Sequence, residues 1–430
     1  MKNPQSVPAH SWFYLHPYVH VSQKKEHVLL CNTLNGDMIE YRNNPLIAEL
    51  VRRLDNARNA YVIRIEKENM NPKIREFITT ARVHYIGDMV DSSLVIQKPM
   101  QLRPILRLER QIEELSIDVK ANRLLEKDTI KGLVNWVSIH INSTCDQDCL
   151  NCQKMFRQFP CCHKSQKSKI WSLEEIQRLM DELQGYHIIK LNVLGGNILL
   201  HPQWRELVQF FNQLKIDKEY FVDVQQLVNN IDRLTCLSDE SKLTITLSFP
   251  INQKVIENWL LFNKKSAITC SYRFILEKEA DFVAAQELAK TYGLTNICYA
   301  PFFNVENLEF FQKHVYISRE SLMDSAFPMS AIFANRTINR FFFKRLIIAS
   351  DKKVYSNRNA PALGKLFQMK IDQMVVKEVN SNRAWMKVRK NLTPCKNCVY
   401  NSLCPPISNY ESAIGQNNLC RMVDSDSHPL

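Results

Sequence analysis

From Asn135 to Phe303 the apolar residues repeatedly change period. The runs NWVSIHINS, YHIIKLNVLGG, EYFVDVQ, KLTITLSFP, AITCSYRFIL and TNICYAPFF are rich in β-branched and aromatic residues and predict strands. Between them, SLEEIQRLMDELQ, WRELVQFFNQLK, VIENWLLFNKK and ADFVAAQELAKTYG repeat apolar residues at helical spacing. Ser172 followed by Glu175 has the form of a capping box. Repeated strand–helix units imply a parallel sheet with helical crossovers. Six units predict an α/β architecture, an open, partial TIM-like (βα)6 barrel over residues 130–305, with its ligands at the carboxyl ends of the strands.

The flanking regions read differently. Residues 1–125 open with the alternating segments WFYLHPYVHVS and HVLLCNTLNGDMIEY, in which Asn35-Gly36 suits a tight hairpin turn. PLIAELVRRLD and PKIREFITTARV predict helices, the first with Pro45 near its start, and DSSLVIQK predicts a short strand. This mixture fits a small winged-helix-like α+β module. Residues 320–430 are less regular: RLIIASDKKVYSN predicts a hairpin turning at Asp351-Lys352-Lys353, and a cysteine-rich tail follows.

Composition narrows the setting. Apolar residues make up 45% of the 430-residue chain and charged residues 23%, as in ordinary folded proteins. No apolar run approaches the roughly 20 residues that cross a bilayer. The opening MKNPQSVPAHSW lacks the apolar core of a signal peptide, so the expected compartment is the cytoplasm. A net charge of +12 suits an acidic partner, but without a long basic block or an RNP-type aromatic motif nucleic acid is a poor candidate. The 13 cysteines are many for a reducing compartment. Cys31, Cys236, Cys270 and Cys298 lie in apolar, strand-like settings and read as packing residues. The clustered ones point to metal or catalysis.

Cys145, Cys149 and Cys152 form a C-x3-C-x2-C loop directly after the first strand of the six. Three thiolates can hold three corners of a four-iron cluster and leave one iron open, or hold zinc with Cys161, Cys162 or His163 as a fourth ligand. The next strand ends in Gly195-Gly196-Asn197, where paired glycines serve either a close ligand approach or a tight turn. In the tail, Cys395, Cys398, Cys404 and Cys420 supply four thiols, enough to close a zinc or an iron–sulfur site.

The cysteine loop, Gly-Gly at the second strand end and LTITLSFP at the fourth together resemble the radical S-adenosylmethionine (SAM) enzymes. The segment from LIIASDKKVYSNRNAPALGKL to PCKNCVYNSLCPPISNYESAIGQNNLC resembles the SPASM domain of radical SAM peptide maturases. The resemblance covers about residues 130–425. It implies a [4Fe-4S] cluster on Cys145, Cys149 and Cys152, with SAM on the open iron. Reductive cleavage of SAM by an electron donor would then give a deoxyadenosyl radical that takes hydrogen from substrate. It places Gly195, Gly196 and Asn197 at the methionine end of SAM, and Ser248 at the polar strand-end position.

Two positions depart from the family pattern. Asn151 stands where an aromatic is usual. Asn197 stands where Glu is usual, and a neutral amide accepts a weaker bond from the SAM ammonium than a carboxylate does. The outer SPASM site keeps Cys395, Cys398, Cys404 and Cys420. The inner site has lost its thiols, at Ser356, Met369 and Ser408. The resemblance therefore implies one auxiliary [4Fe-4S] cluster, or zinc in its place, and a ribosomally made precursor peptide captured by the first region. The chain is expected to be a maturase acting on that peptide, or a catalytically degenerate relative that binds precursor or assists a partner maturase.

Overall fold

The structure is a computed structural model. It describes residues 10–422 apart from 67–69, 96, 105–109, 113, 116–129, 166–168, 239, 267 and 382.

The first module holds two three-stranded antiparallel sheets. One has the order β5-β1-β6, from β1 (His10–Leu15), β5 (Val62–Glu66) and β6 (Gly87–Asp91). The other is β2-β3-β4, from β2 (Val19–Lys24), β3 (His27–Asn32) and β4 (Met38–Tyr41). Helices α1 (Pro45–Leu54) and α2 (Pro72–Val83) each start on an Asn-Pro pair. The Asn44 and Asn71 side chains accept from backbone N–H groups of the first turn, and the proline sits where no N–H is needed. Phe13, Leu15, Ile47, Val51, Leu54, Ile63 and Phe77 form the module's core. Each fully buried side chain of this size contributes about 1.5–3 kcal/mol.

Two local expectations shift. The strand expected in DSSLVIQK lies earlier, at Gly87–Asp91, and Ser92–Leu94 forms a turn. Leu15↔Gly87 pairing starts β6 at a glycine because an added Cβ there would sit 2.6 Å from the Tyr14 carbonyl oxygen. The β3–β4 turn is also wider than a two-residue hairpin: Gly36, at φ +87°, donates to Asn32 O, and the Asn32 side chain accepts from Leu34 N.

All six strands expected in the central region form, as β7 (Trp136–His140), β8 (Lys190–Leu194), β9 (Asp217–Asp223), β10 (Lys242–Ser248), β11 (Thr269–Leu276) and β12 (Ile297–Pro301). They are parallel and pair in sequence order. The expected hairpin also forms, as β13 (Arg345–Ile348) and β14 (Lys353–Tyr355), with Lys352 at φ +68° and Asp351 accepting from Lys353 N. Together with β15 (Gly364–Lys365) it extends the same sheet to nine strands, in the order β12-β11-β10-β9-β8-β7-β13-β14-β15. β13 runs parallel to β7, with Arg345 opposite Trp136. The Trp136 ring takes the Arg345 guanidinium at 3.7 Å and the Lys190 ammonium of β8 at 4.4 Å, so one indole binds cations from both neighbouring strands.

The large core runs from Val137, Ile139 and Leu191 through Trp171, Trp204 and Trp259 to Leu346, Val375 and Trp385. A separate cluster joins the first module to the tail: Leu29 and Cys31 of β3 pack with Leu322, Ile332, Val399, Tyr400, Leu403 and Cys404. Beside it, the Glu40 carboxylate meets His27 and Arg319 at 2.7 Å and Arg42 at 2.6 Å. Burial alone would raise the Glu40 pKa, but hydrogen bonds from Tyr400, Arg42, Arg319 and His27 bring it down to about 2. Among the described residues no helix is long and apolar enough to cross a membrane.

Candidate functional site

β7 delivers the chain to the carboxyl end of the sheet, where residues 143–151 form a loop and Cys152 opens the short helix α3 (Cys152–Gln158). Cys145 and Cys152 are half-buried and Cys149 is exposed. Three N–H donors face two of the sulfurs: Gln147 N at 3.4 Å and Gln226 Nε2 at 3.1 Å from Cys145 Sγ, and Lys164 N at 3.3 Å from Cys152 Sγ. Partial burial, with Asp223, Cys152 and Cys145 adding like charge, pushes the Cys149 thiol up to about 11. Burial likewise raises Cys145. A bound cation must therefore displace protons from these thiols, and the N–H donors offset part of the thiolate charge. Donors on two sulfurs and three thiols on one loop fit the ligand chemistry of an iron–sulfur cluster.

Gly195 and Gly196 follow β8 and are pressed against this loop. A methyl on Gly195 would lie 2.3 Å from Asn142 Oδ1, and one on Gly196 only 2.0 Å from Thr144 O. What approaches the glycine pair is the chain's own cysteine-bearing segment. Gly196 N donates to Asn142 O (3.1 Å) and Oδ1 (2.8 Å), while Asn142 Nδ2 donates to Asn197 O at 2.8 Å. Asn197 is fully buried. Its N–H donates to Thr144 O at 2.6 Å, its amide nitrogen to Asp146 Oδ1 at 3.0 Å, and its side-chain oxygen accepts from Leu199 N at 3.1 Å. From the other side, His163 N donates to Gly195 O at 2.7 Å. Ser248 ends β10 on the same edge of the sheet and is half-buried.

Several polar partners carry no motif. Asn151 Nδ2 donates to Glu277 Oε1 at 3.3 Å, and Asn304 Nδ2 to Glu277 Oε2 at 2.9 Å. Asn151, standing in place of an aromatic, thus ties the cysteine loop to the end of β11. Asp223 closes β9 and caps α6 (Val224–Asn229), and burial pushes its carboxyl up to about 6. Asp223 and Glu277 could be found only as acids at strand ends, in EYFVDV and SYRFILE. Inside the sheet's open side, Phe159, Cys161, Ile275, Ala300 and Phe302 pack together with Phe156 and Tyr410. Cys161 is buried there, and Cys162, half-exposed, follows it; burial raises both thiols.

In the tail, Cys395, Cys398, Cys404 and Cys420 line one narrow cavity of 20 Å³ with Arg389. Arg389 is buried and forked onto Glu411, with Nη1 2.7 Å from Oε1 and Nη2 3.1 Å from Oε2. The same Nη1 lies 3.8 Å from Cys395 Sγ. Ser408 and Glu411 form the capping box of α13 (Asn409–Ile414), which holds the carboxylate in place. Four thiols line this cavity, but as it stands its 20 Å³ has room for about one or two atoms rather than an eight-atom cluster, and Glu411 already answers the Arg389 charge beside it. At the inner positions, Ser356 donates to Glu378 at 2.7 Å, Ser408 caps α13, and Met369 packs on Gly364. Among the described residues no three His, Cys, Asp or Glu side chains form a group that could hold a single metal ion as they stand. A four-iron cluster is larger than one ion and spreads its thiolates farther apart.

No protein-family model matches the chain, and no curated protein matches it. Among solved structures, Streptococcus suis SuiB bound to S-adenosylmethionine aligns at 10% identity and a TM-score of 0.44, over 95% of this chain and 97% of that one. SuiB bound to its precursor peptide SuiA aligns at 11% identity and a TM-score of 0.45, over 95% of this chain and 98% of that one. A third structure, "Crystal structure of Streptococcus suis SuiB", aligns at 13% identity and a TM-score of 0.41, over 94% and 97%.

Proposed function

We propose that this chain binds a ribosomally made precursor peptide and serves its maturation as a radical SAM/SPASM-type protein. The observation that carries this reading is in the first module. β6 is an edge strand with no second neighbour among the described residues, and a 740 Å³ groove runs between it and α2. Ile78, Met89 and the exposed Val83 and Tyr85 give the groove apolar contacts, and Arg75 adds positive charge. An extended peptide adds to such an edge by main-chain hydrogen bonds, with alternate side chains in the groove. In this reading Cys145, Cys149 and Cys152 hold a [4Fe-4S] cluster, and Gly195, Gly196, Asn197 and Ser248 border the SAM site. When bound, the cluster would supply the electron that cleaves SAM. The tail cysteines would hold an auxiliary cluster, or zinc, once their thiols rearrange from the positions they take in the structure.

The test is fluorescence anisotropy with a labelled candidate precursor. Val83→Asp, an exposed change in the groove, should weaken binding about tenfold. Equal binding by wild type and variant would refute capture at β6.

A specific observation favours the degenerate, assisting form of this reading. The polar groups of Gly195-Gly196-Asn197 are spent on Asn142, Thr144, Asp146 and His163, and Phe159, Phe302 and Tyr410 pack into one apolar cluster with Ile275 of β11 and Ala300 of β12. Anaerobic reconstitution, reduction and assay for deoxyadenosine separate the two forms. Product abolished by Cys149→Ala marks an enzyme. Bound iron with SAM left intact, with or without peptide, marks an assisting protein.

A further inference from the structure

Beneath the cysteine loop lies a second enclosed space, walled by Ser138 and His140 of β7, Leu194 of β8, Phe156, Cys161, Ile347, Arg358 and Asn409. Its volume is 50 Å³, and about 10–15 Å³ of such space holds one water. It therefore has room for a group of three or four heavy atoms. The Arg358 guanidinium lies 4.6 Å from the Tyr355 ring centroid and 5.1 Å from that of Phe156. Contacts through the ring faces leave the in-plane N–H groups unused. Two of its three nitrogens, Nε and Nη1, are buried with no hydrogen-bond partner.

The charges around it answer the cation only in part. Arg157, His140 and His163 stand on its electrostatic horizon. The acid within reach, Asp351, is bound to Lys353 at 3.1 Å. Arg358 is half-buried, and a guanidinium with two buried nitrogens left without an acceptor is a place an anion can complete. The Ser138 hydroxyl, the His140 imidazole and the Asn409 amide line the same space with neutral polar groups.

We propose that this cavity is a carboxylate-binding subsite in which Arg358 is the fixed cation. A carboxylate matches both the volume and the planar N–H donors of a guanidinium. The occupant is either a free small carboxylate or the side chain of an acidic residue in a bound peptide. This site does not depend on a cluster being present, nor on peptide capture at β6.

The experiment follows thermal unfolding of the full-length protein in formate or acetate against chloride at matched ionic strength. In chloride, Arg358→Gln should unfold close to wild type, because the half-buried guanidinium loses its ring contacts as well as its two unpaired nitrogens. In formate or acetate, wild type should gain stability, with half-saturation about tenfold weaker or lost in the variant. Arg358→Lys keeps the charge without the planar fork and should retain part of the response. A second arm compares N-acetylated, C-amidated Ala-Glu-Ala with Ala-Gln-Ala. A stabilising effect of the Glu peptide alone, lost in Arg358→Gln, assigns the site to an acidic peptide side chain. A response to formate and acetate without one to the Glu peptide assigns it to a free carboxylate. A wild type that responds to formate and acetate no more than to chloride, and equally to the two peptides, overturns the proposal. So does a response that Arg358→Gln leaves unchanged.

Discussion

The two cysteine groups are built in opposite ways. The loop of Cys145, Cys149 and Cys152 sits at the surface, with one sulfur residue exposed and the peptide groups of Asn142–Thr144 and Gly195–Asn197 holding it from behind. The tail group of Cys395, Cys398, Cys404 and Cys420 surrounds a 20 Å³ cavity, with a buried Arg389–Glu411 pair as its wall. Access is the difference. A group at the loop can meet a second molecule, whereas one in the tail is enclosed and ties chain segments together. On the proposed reading, the same residue type would serve exposure in one place and cross-linking in the other, as open and closed metal sites differ in general.

The largest expected effect is in the tail. Glu411→Ala leaves Arg389 buried and unpaired and should cost about 3–5 kcal/mol, read as a lowered Tm and early proteolysis of the cysteine-rich segment. An unchanged Tm would show that the enclosed site does not depend on this pair. Next, Gly196→Ala forces a methyl to within 2.0 Å of a backbone oxygen. It should cost about 1–3 kcal/mol and, by displacing residues 142–146, lower iron uptake at the loop while leaving the tail's metal content intact.

Acid probes the attachment of the first module. Glu40 titrates at about 2 in the folded chain, against about 4.3 for a free glutamate. Its contribution is complete above the unfolded value and is lost as pH falls from about 4.3 to about 2. Proteolysis between the first module and the sheet should rise over that window, and Glu40→Gln should show that raised cleavage already at pH 6. The smallest effect is expected at the exposed thiol: Cys149→Ser should leave the unfolding free energy within about 0.5 kcal/mol of wild type, whereas Cys404→Ser, in a buried wall, should lower it clearly. Equal effects would erase the contrast between the two groups.

Much of the central region was legible because its inner strands β8 and β10 are buried on both faces and read as continuous apolar runs, while β7, β11 and β12 still carry β-branched and aromatic residues at strand spacing. The placement of Cys145 after the first of them followed from chain order alone. The capping boxes at Ser172–Glu175 and Ser408–Glu411 form, the first expected from spacing, the second present as S-N-Y-E within a run read for another purpose. What the pattern does not carry is pairing across distance. Nothing local says that β13 docks on β7, since the Trp136 ring and Arg345 are far apart in the chain. DSSLVIQK had strand composition, yet Asp91 caps the turn that follows β6, accepting from Ser93 N. Gly-Gly was legible as a close approach, but the partner in that approach, the cysteine loop itself, is a tertiary fact. Asn142, which organises that contact, and Arg358, with two nitrogens left without an acceptor, have no local signature.

The first module is fastened to the tail through Leu29, Cys31, Val399, Leu403 and Cys404, with Glu40 bridging to Arg319. A peptide gripped at β6 would therefore be anchored at a set separation from the cysteine loop. Each extended residue spans about 3.3 Å, so the number of residues between grip and target would act as a ruler. The tail cysteines, remote from any reacting bond, would help fix its length.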